Sequence, residues 1–157
     1  MNLQNYRDPN KGCTPFHYAA DKGYFEICQL LIKHGANLLQ QTIFSATPLH
    51  KAAQKGHLKV CKLIGDYMEN KNPANIIGLT PLHGAAKNGY LEVCKYLMNK
   101  VDNKNPAKNT GTTPLTGTIP LHCAADSGHL EIVNSLPARL KTKIQQTIKE
   151  PDLLNFL

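Results

Sequence analysis

The sequence predicts an all-α repeat solenoid: a stack of helix pairs followed by a non-repeat helical tail. Three observations carry this. Thr-Pro recurs at Thr14-Pro15, Thr47-Pro48, Thr80-Pro81 and Thr113-Pro114, in steps of 33 residues. His17, His50 and His83, the pairs Ala19-Ala20, Ala52-Ala53 and Ala85-Ala86, and Gly23, Gly56 and Gly89 recur in the same register. A fourth set, His122, Ala124-Ala125 and Gly128, arrives six residues late. One such unit cannot bury its own apolar face, whereas stacked units can.

Each unit reads in the same order. Thr before Pro is a helix start, because the hydroxyl can accept an orphan backbone N–H and Pro suits the first helical position. The paired alanines let a neighbouring helix approach closely. The glycine then fits a left-handed residue that ends a short first helix. A second helix follows, with apolar residues at helical spacing: Phe25, Ile27, Cys28, Leu30 and Leu31. The matching sets are Leu58, Val60, Cys61, Leu63 and Ile64, and Leu91, Val93, Cys94, Leu97 and Met98. Polar connections such as Asn70-Lys71-Asn72-Pro73 and Asn103-Lys104-Asn105-Pro106 lead to the next unit.

With these residues in hand the chain resembles the ankyrin-repeat family. Thr-Pro-Phe/Leu-His at 14–17, 47–50 and 80–83, and Pro120-Leu121-His122, carry the resemblance. Gly-Tyr/His-Phe/Leu-Glu/Lys at 23–26, 56–59, 89–92 and 128–131, with His34-Gly35-Ala36-Asn37, add to it. It covers about residues 10–136 in four copies: 12–44, 45–77, 78–111 and an incomplete 112–136. The resemblance implies short β-hairpin fingers, and a concave surface lined by fingers and first helices. It also implies a module that binds other proteins, with no catalytic residue and no cofactor.

Three places break the pattern. Residues 110–121 read Thr-Gly-Thr-Thr-Pro-Leu and then Thr-Gly-Thr-Ile-Pro-Leu, a six-residue tandem duplication. The fourth first-helix is expected to begin at Pro120. A start at Pro114 would bury Pro120 inside the helix at a cost of about 3 kcal/mol. The duplicated copy then lengthens the finger loop that closes the third unit. Beyond Pro137 nothing matches the repeat. Residues 137–157 put Leu140, Ile144 and Ile148 on one helical stripe and read as a capping helix or a partner-binding tail. Leu136-Pro137-Ala138-Arg139-Leu140 distantly resembles the opening of an F-box-type motif, which would make the chain a substrate-recruiting adaptor of a ubiquitin ligase. Residues 1–11 hold no complete unit and read as an N-terminal segment or the end of a preceding repeat. A structural segment of a longer array is therefore a further alternative.

Composition narrows the function classes. Apolar residues are 41%, enough for a core, and no apolar run approaches the ~18 residues of a membrane span. The five cysteines form no Cys-x-x-Cys pair, so a disulfide or zinc framework is not expected. Cys28, Cys61 and Cys94 share one repeat position and read as small core hydrophobes, whereas Cys13 and Cys123 fall at variable positions expected to be more exposed. The four helix-start histidines read as structural, because stacked helices ~8–10 Å apart cannot share one metal. His34, His57 and His129 are given structural or surface roles. A reducing compartment, cytoplasm or nucleus, is the expectation.

The net charge of +7 is uneven. Residues 45–77 hold five lysines against Asp66 and Glu69, and residues 78–111 hold five against Glu92 and Asp102. Lys51, Lys55 and Lys87 fall on the first helices, and Ile43-Phe44 and Ile76-Ile77, with Leu79, put bulky apolar residues on the fingers. An apolar core with a polar rim is the anatomy of a binding surface. The expected partner-binding residues are Tyr18, Phe44, Lys51, Lys55, Ile77, Leu79 and Lys87, and the expected partner is a protein with an acidic patch. Nucleic acid is disfavoured by the two arginines and the lack of an aromatic stripe. A membrane is not expected as partner, and a monomer is.

Overall fold

Residues 3–100 and 120–135 are described by the computed structural model. Eight helices form four pairs among them. They are α1 (Pro15–Lys22) with α2 (Phe25–Lys33), α3 (Pro48–Gln54) with α4 (Leu58–Asp66), α5 (Pro81–Lys87) with α6 (Leu91–Lys100), and α7 (Pro120–Asp126) with α8 (Leu130–Ser135). A 3-10 turn at Leu3–Asn5 precedes them. The duplication at 110–121, apart from its last two residues, and the tail at 137–157 lie outside the described residues.

The first helices start as the sequence requires. Thr14, Thr47 and Thr80 are N-caps, Pro follows at the first helical position, and His17, His50 and His83 complete a capping box three residues on. Gly23, Gly56, Gly89 and Gly128 then take φ of 73°, 77°, 78° and 76°, the left-handed conformation that stops the helix. The Tyr24 N–H reaches back to the Ala19 carbonyl at 3.0 Å and satisfies one of the carbonyls the helix end exposes.

Stacking makes two rows. α1, α3, α5 and α7 pack side by side in one, and α2, α4, α6 and α8 in the other. The core lies between the rows and between successive pairs. Phe16, Leu49, Ile64 and Leu97 are fully buried there, with the alanine pairs of the first three units. A side chain of that size contributes about 1.5–3 kcal/mol when fully buried. Cys28, Cys61 and Cys94 are buried at equivalent points, and desolvation pushes their thiols up to about 11, 12 and 12. Such thiols are poor nucleophiles at neutral pH.

The six added residues do not disturb this register. α7 starts at Pro120, as expected. The His57 ring donates from Nε2 to the Asp21 carbonyl of the preceding pair at 3.0 Å. His129 does the same to the Lys87 carbonyl at 3.1 Å. The two partners stand 36 and 42 residues apart, so the whole insertion is absorbed before α7. The structural role given to these two histidines is therefore specific: each ties a second helix to the end of the first helix before it.

Two expectations are corrected. Among the described residues no strand forms, so the fingers are turns with a hairpin-like closure. Thr42 N–H bonds the Ala46 carbonyl and Asn75 N–H the Leu79 carbonyl, each at 2.9 Å. Neighbouring fingers share one backbone bond, Ile43 N–H to the Lys11 carbonyl at 3.1 Å and Ile76 N–H to the Phe44 carbonyl at 3.2 Å. A single bond per neighbour is too little for the alternating pairs of a ladder. The second correction is Cys13, which is buried at 6% exposure. Its carbonyl closes the first finger by accepting from the Asp8 N–H at 2.8 Å, which holds the residue beneath the turn.

Candidate partner-binding surface

The fingers are built on short turns, so their tips have little room to bury side chains. Asn75 sets the third finger: its side-chain oxygen accepts from the Ile77 N–H at 3.1 Å and the Leu79 N–H at 2.9 Å. Thr42 does similar work in the second, accepting from the Phe44 and Ala46 N–H groups at 3.3 and 3.1 Å. With these backbone groups satisfied within each turn and by the neighbouring finger, the side chains at the tips are left exposed. Ile43 and Phe44 are 53% and 58% exposed, and Ile76 and Ile77 are 52% and 45% exposed. The Ile76–Phe44 backbone bond sets the two tips side by side, so these four residues form one apolar strip.

The finger bases are fixed to the first helices by the capping histidines. His50 receives the Thr47 N–H on Nδ1 at 3.0 Å and donates from Nε2 to the Leu79 carbonyl at 3.1 Å. His17 receives the Thr14 N–H at 3.1 Å and donates to the Ala46 carbonyl at 3.1 Å. Each ring thus bridges the start of one helix and the finger of the next unit. The bond from His50 also sets Leu79 against the start of α3, where Lys51 is the next residue.

The candidate residues are not all brought together. Phe44 and Ile77 share the strip. Leu79 and Lys51 are half-buried at its base. Lys55 caps the end of α3 and Lys87 is the last residue of α5, so both exposed side chains start from the far end of a seven-residue helix, about 10 Å from the fingers. Tyr18, on α1, is tied to the first finger instead. Its hydroxyl donates to Asp8 Oδ2 at 2.7 Å, and Asp8 Oδ1 accepts from the Asn10 and Lys11 N–H groups at 2.7 and 3.1 Å. The bond to Asp8 pushes the Tyr18 hydroxyl up to about 12, and the Tyr18 bond, with the two backbone N–H groups, holds the Asp8 carboxyl below its usual value. Tyr18 and Asp8 line a shallow groove of about 450 Å³ with Tyr6, Pro9, Cys13 and Pro15.

Sequence reasoning left out Tyr6 and the anchoring role of Asp8. Asp8-x-Asn10-Lys11 is the pattern of an Asx turn and was the available signal. Among the described residues no group of three His, Cys, Asp or Glu side chains stands close enough to hold a metal ion. No helix among them is long and apolar enough to cross a membrane.

A family model of ankyrin repeats, three copies long, matches residues 1–75 and again residues 65–147. No curated protein matches the chain. The two matches together span far more than half of the sequence, and they overlay the four helix pairs, with the Thr-Pro starts and capping histidines of the first three. Repeats of this kind are in general modules of protein–protein interaction. The chain belongs to the ankyrin-repeat family.

Proposed function

We propose that the chain captures a protein partner on the finger side of the stack, through the apolar strip of Ile43, Phe44, Ile76 and Ile77. The exposure of these four large side chains on adjoining tips is the observation that carries the reading. Isolated exposed apolar residues are ordinary, whereas a contiguous set beside charged groups is the anatomy of an interaction site. Phe44 and Ile77 are the anchors. Lys51 and Leu79 form the wall beside them, and Lys55 and Lys87 extend a basic rim along the first helices. Tyr18 marks the end of the surface at the first finger. The basic rim favours a partner that presents an acidic patch around an apolar contact, because opposite fields steer encounter and fix register.

The test uses variants that leave the core alone. Phe44→Asp with Ile77→Asp should lower partner capture at least tenfold, because anchors of this size at an interface centre are each worth about 1–2 kcal/mol or more. Lys55→Glu with Lys87→Glu should lower it less and should steepen the loss with salt. Far-UV dichroism should stay unchanged in both. Undiminished capture by the finger double variant removes this surface assignment.

A further inference from the structure

The apolar stripe of α2 is only partly used by the fold. Ile27 is 47% exposed, yet its register equivalents Val60, Val93 and Ile132 are 1%, 1% and 3% exposed. Leu30 is 56% exposed, and its equivalents Leu63 and Tyr96 are half-buried. Tyr24 is 54% exposed, while its equivalents His57, Tyr90 and His129 lie on Gly23, Gly56 and Gly89 of the pair before. In the later units this position is the contact with the preceding pair. In the first unit the described residues place nothing over it. Residues 3–5 are anchored at the end of α2, through Gln4 Nε2 to the His34 carbonyl at 2.7 Å and the Asn37 N–H to Asn5 Oδ1 at 3.0 Å. They leave Tyr24, Ile27 and Leu30 open, three residues apart along one helical stripe.

We infer that this face binds the same face of a second copy of the chain, giving a head-to-head two-fold dimer with α2 antiparallel to α2. The charges beside the stripe favour that occupant. Glu26 and Lys33 are seven residues apart, two helical turns, and so flank the stripe on one side. A two-fold axis between them sets Glu26 of each copy against Lys33 of the other, with Leu30 near the axis. Neither residue makes an ion pair among the described residues. The surroundings are close to neutral: residues 1–44 hold Arg7, Lys11, Lys22 and Lys33 against Asp8, Asp21 and Glu26, a net +1, and most of the basic excess sits in later units. The surface is also the natural continuation of the row α2, α4, α6, α8. This departs from the monomer expected from the sequence. A contact through one nine-residue helix lies at the small end of interface sizes, so the association is weak, on the order of 100 µM.

Sedimentation equilibrium of the full chain, from about 5 to about 500 µM, tests this. The average mass should rise from the monomer's 17.3 kDa toward twice that value. Ile27→Glu, at a half-exposed position, should hold the chain at the monomer mass with an unchanged helical signal. Glu26→Lys and Lys33→Glu should each weaken the dimer about threefold to tenfold, and the two together should restore it. A wild-type chain that stays monomeric throughout overturns the proposal and leaves the face to a preceding helix pair or a foreign protein. A dimer that survives Ile27→Glu overturns it as well. Failure of the paired charge swap to restore association overturns the antiparallel register.

Discussion

The first helices α1, α3 and α5 are each started by a Thr and a His that need a neutral imidazole. The Thr47 N–H can only donate and the Leu79 carbonyl can only accept, so His50 must carry its proton on Nε2 and keep Nδ1 bare. A second proton would set one N–H against another. Burial adds to this and lowers His50 to about 4, helped by the charge of Lys51 and by His17 and His83 above and below it in the stack. Burial lowers His17 too, with Lys51 and Arg7 acting in the same direction. The folded imidazoles therefore take up protons less readily than the unfolded ones. The stabilisation from His50 is complete above about pH 6.5 and is lost as the pH falls from there toward about 4, and His17 acts in the same direction. At pH 5 the His50 site alone should forfeit about 2 kcal/mol. Urea unfolding at pH 7.5, 6 and 5 measures this. In His50→Gln, which keeps a capping side chain but cannot titrate, the pH dependence should become shallower by nearly one proton. An unaltered slope would show that His50 is not the group responsible.

Helix ends and their packing were largely readable from the sequence, because the constraint repeats every 33 residues. The Thr-Pro start, the alanine pair and the left-handed glycine each follow from local backbone chemistry, so the first three copies give the same answer three times, and the fourth repeats it with Ile119 in place of the Thr. What lay beyond reach depended on neighbours. His57 and His129 differ from Tyr90 at one register position, and only the stacked structure shows that the imidazoles bond a carbonyl of the preceding unit. Cys13 looked like a variable position and is buried by its own finger. Ile27 and Leu30 read as core with the rest of their stripe, yet periodicity gives the apolar face and not whether a neighbour covers it. The stacking contacts can be tested at the glycines. Gly56 has φ 77°, and a Cβ there would strike the Tyr90 ring, whereas Gly35 has φ 79° and nothing within 4 Å. Gly35→Ala should cost about 1–2 kcal/mol, the left-handed penalty alone. Gly56→Ala should cost at least about 1 kcal/mol more, because the next helix pair must move. Equal losses in urea denaturation would deny the close fit between successive pairs.

At the scale of the molecule, the two rows of helices divide the surface by role. Beyond the uncovered face of α2, the second-helix row exposes Lys59, Lys62 and the Lys95–Glu92 pair at 2.8 Å, with Tyr67, Tyr90 and Leu130 as single apolar residues. The finger side presents the apolar strip with lysines beyond it. The capping histidines connect these features to the core, since the rings that start the helices also hold the fingers at a fixed height. A rigid strip of this kind avoids part of the ordering cost that a flexible loop would incur on binding. The surface assignment is the claim on which the functional account stands, and one experiment reaches it whatever the partner is. A photo-crosslinking side chain placed at Ile77, in the full chain and in its native cell, should form a discrete adduct with another protein. The same group at Lys62 on the exposed side of α4 should form none. Adducts from Lys62 with none from Ile77 would contradict the account and move the binding surface to the second-helix row.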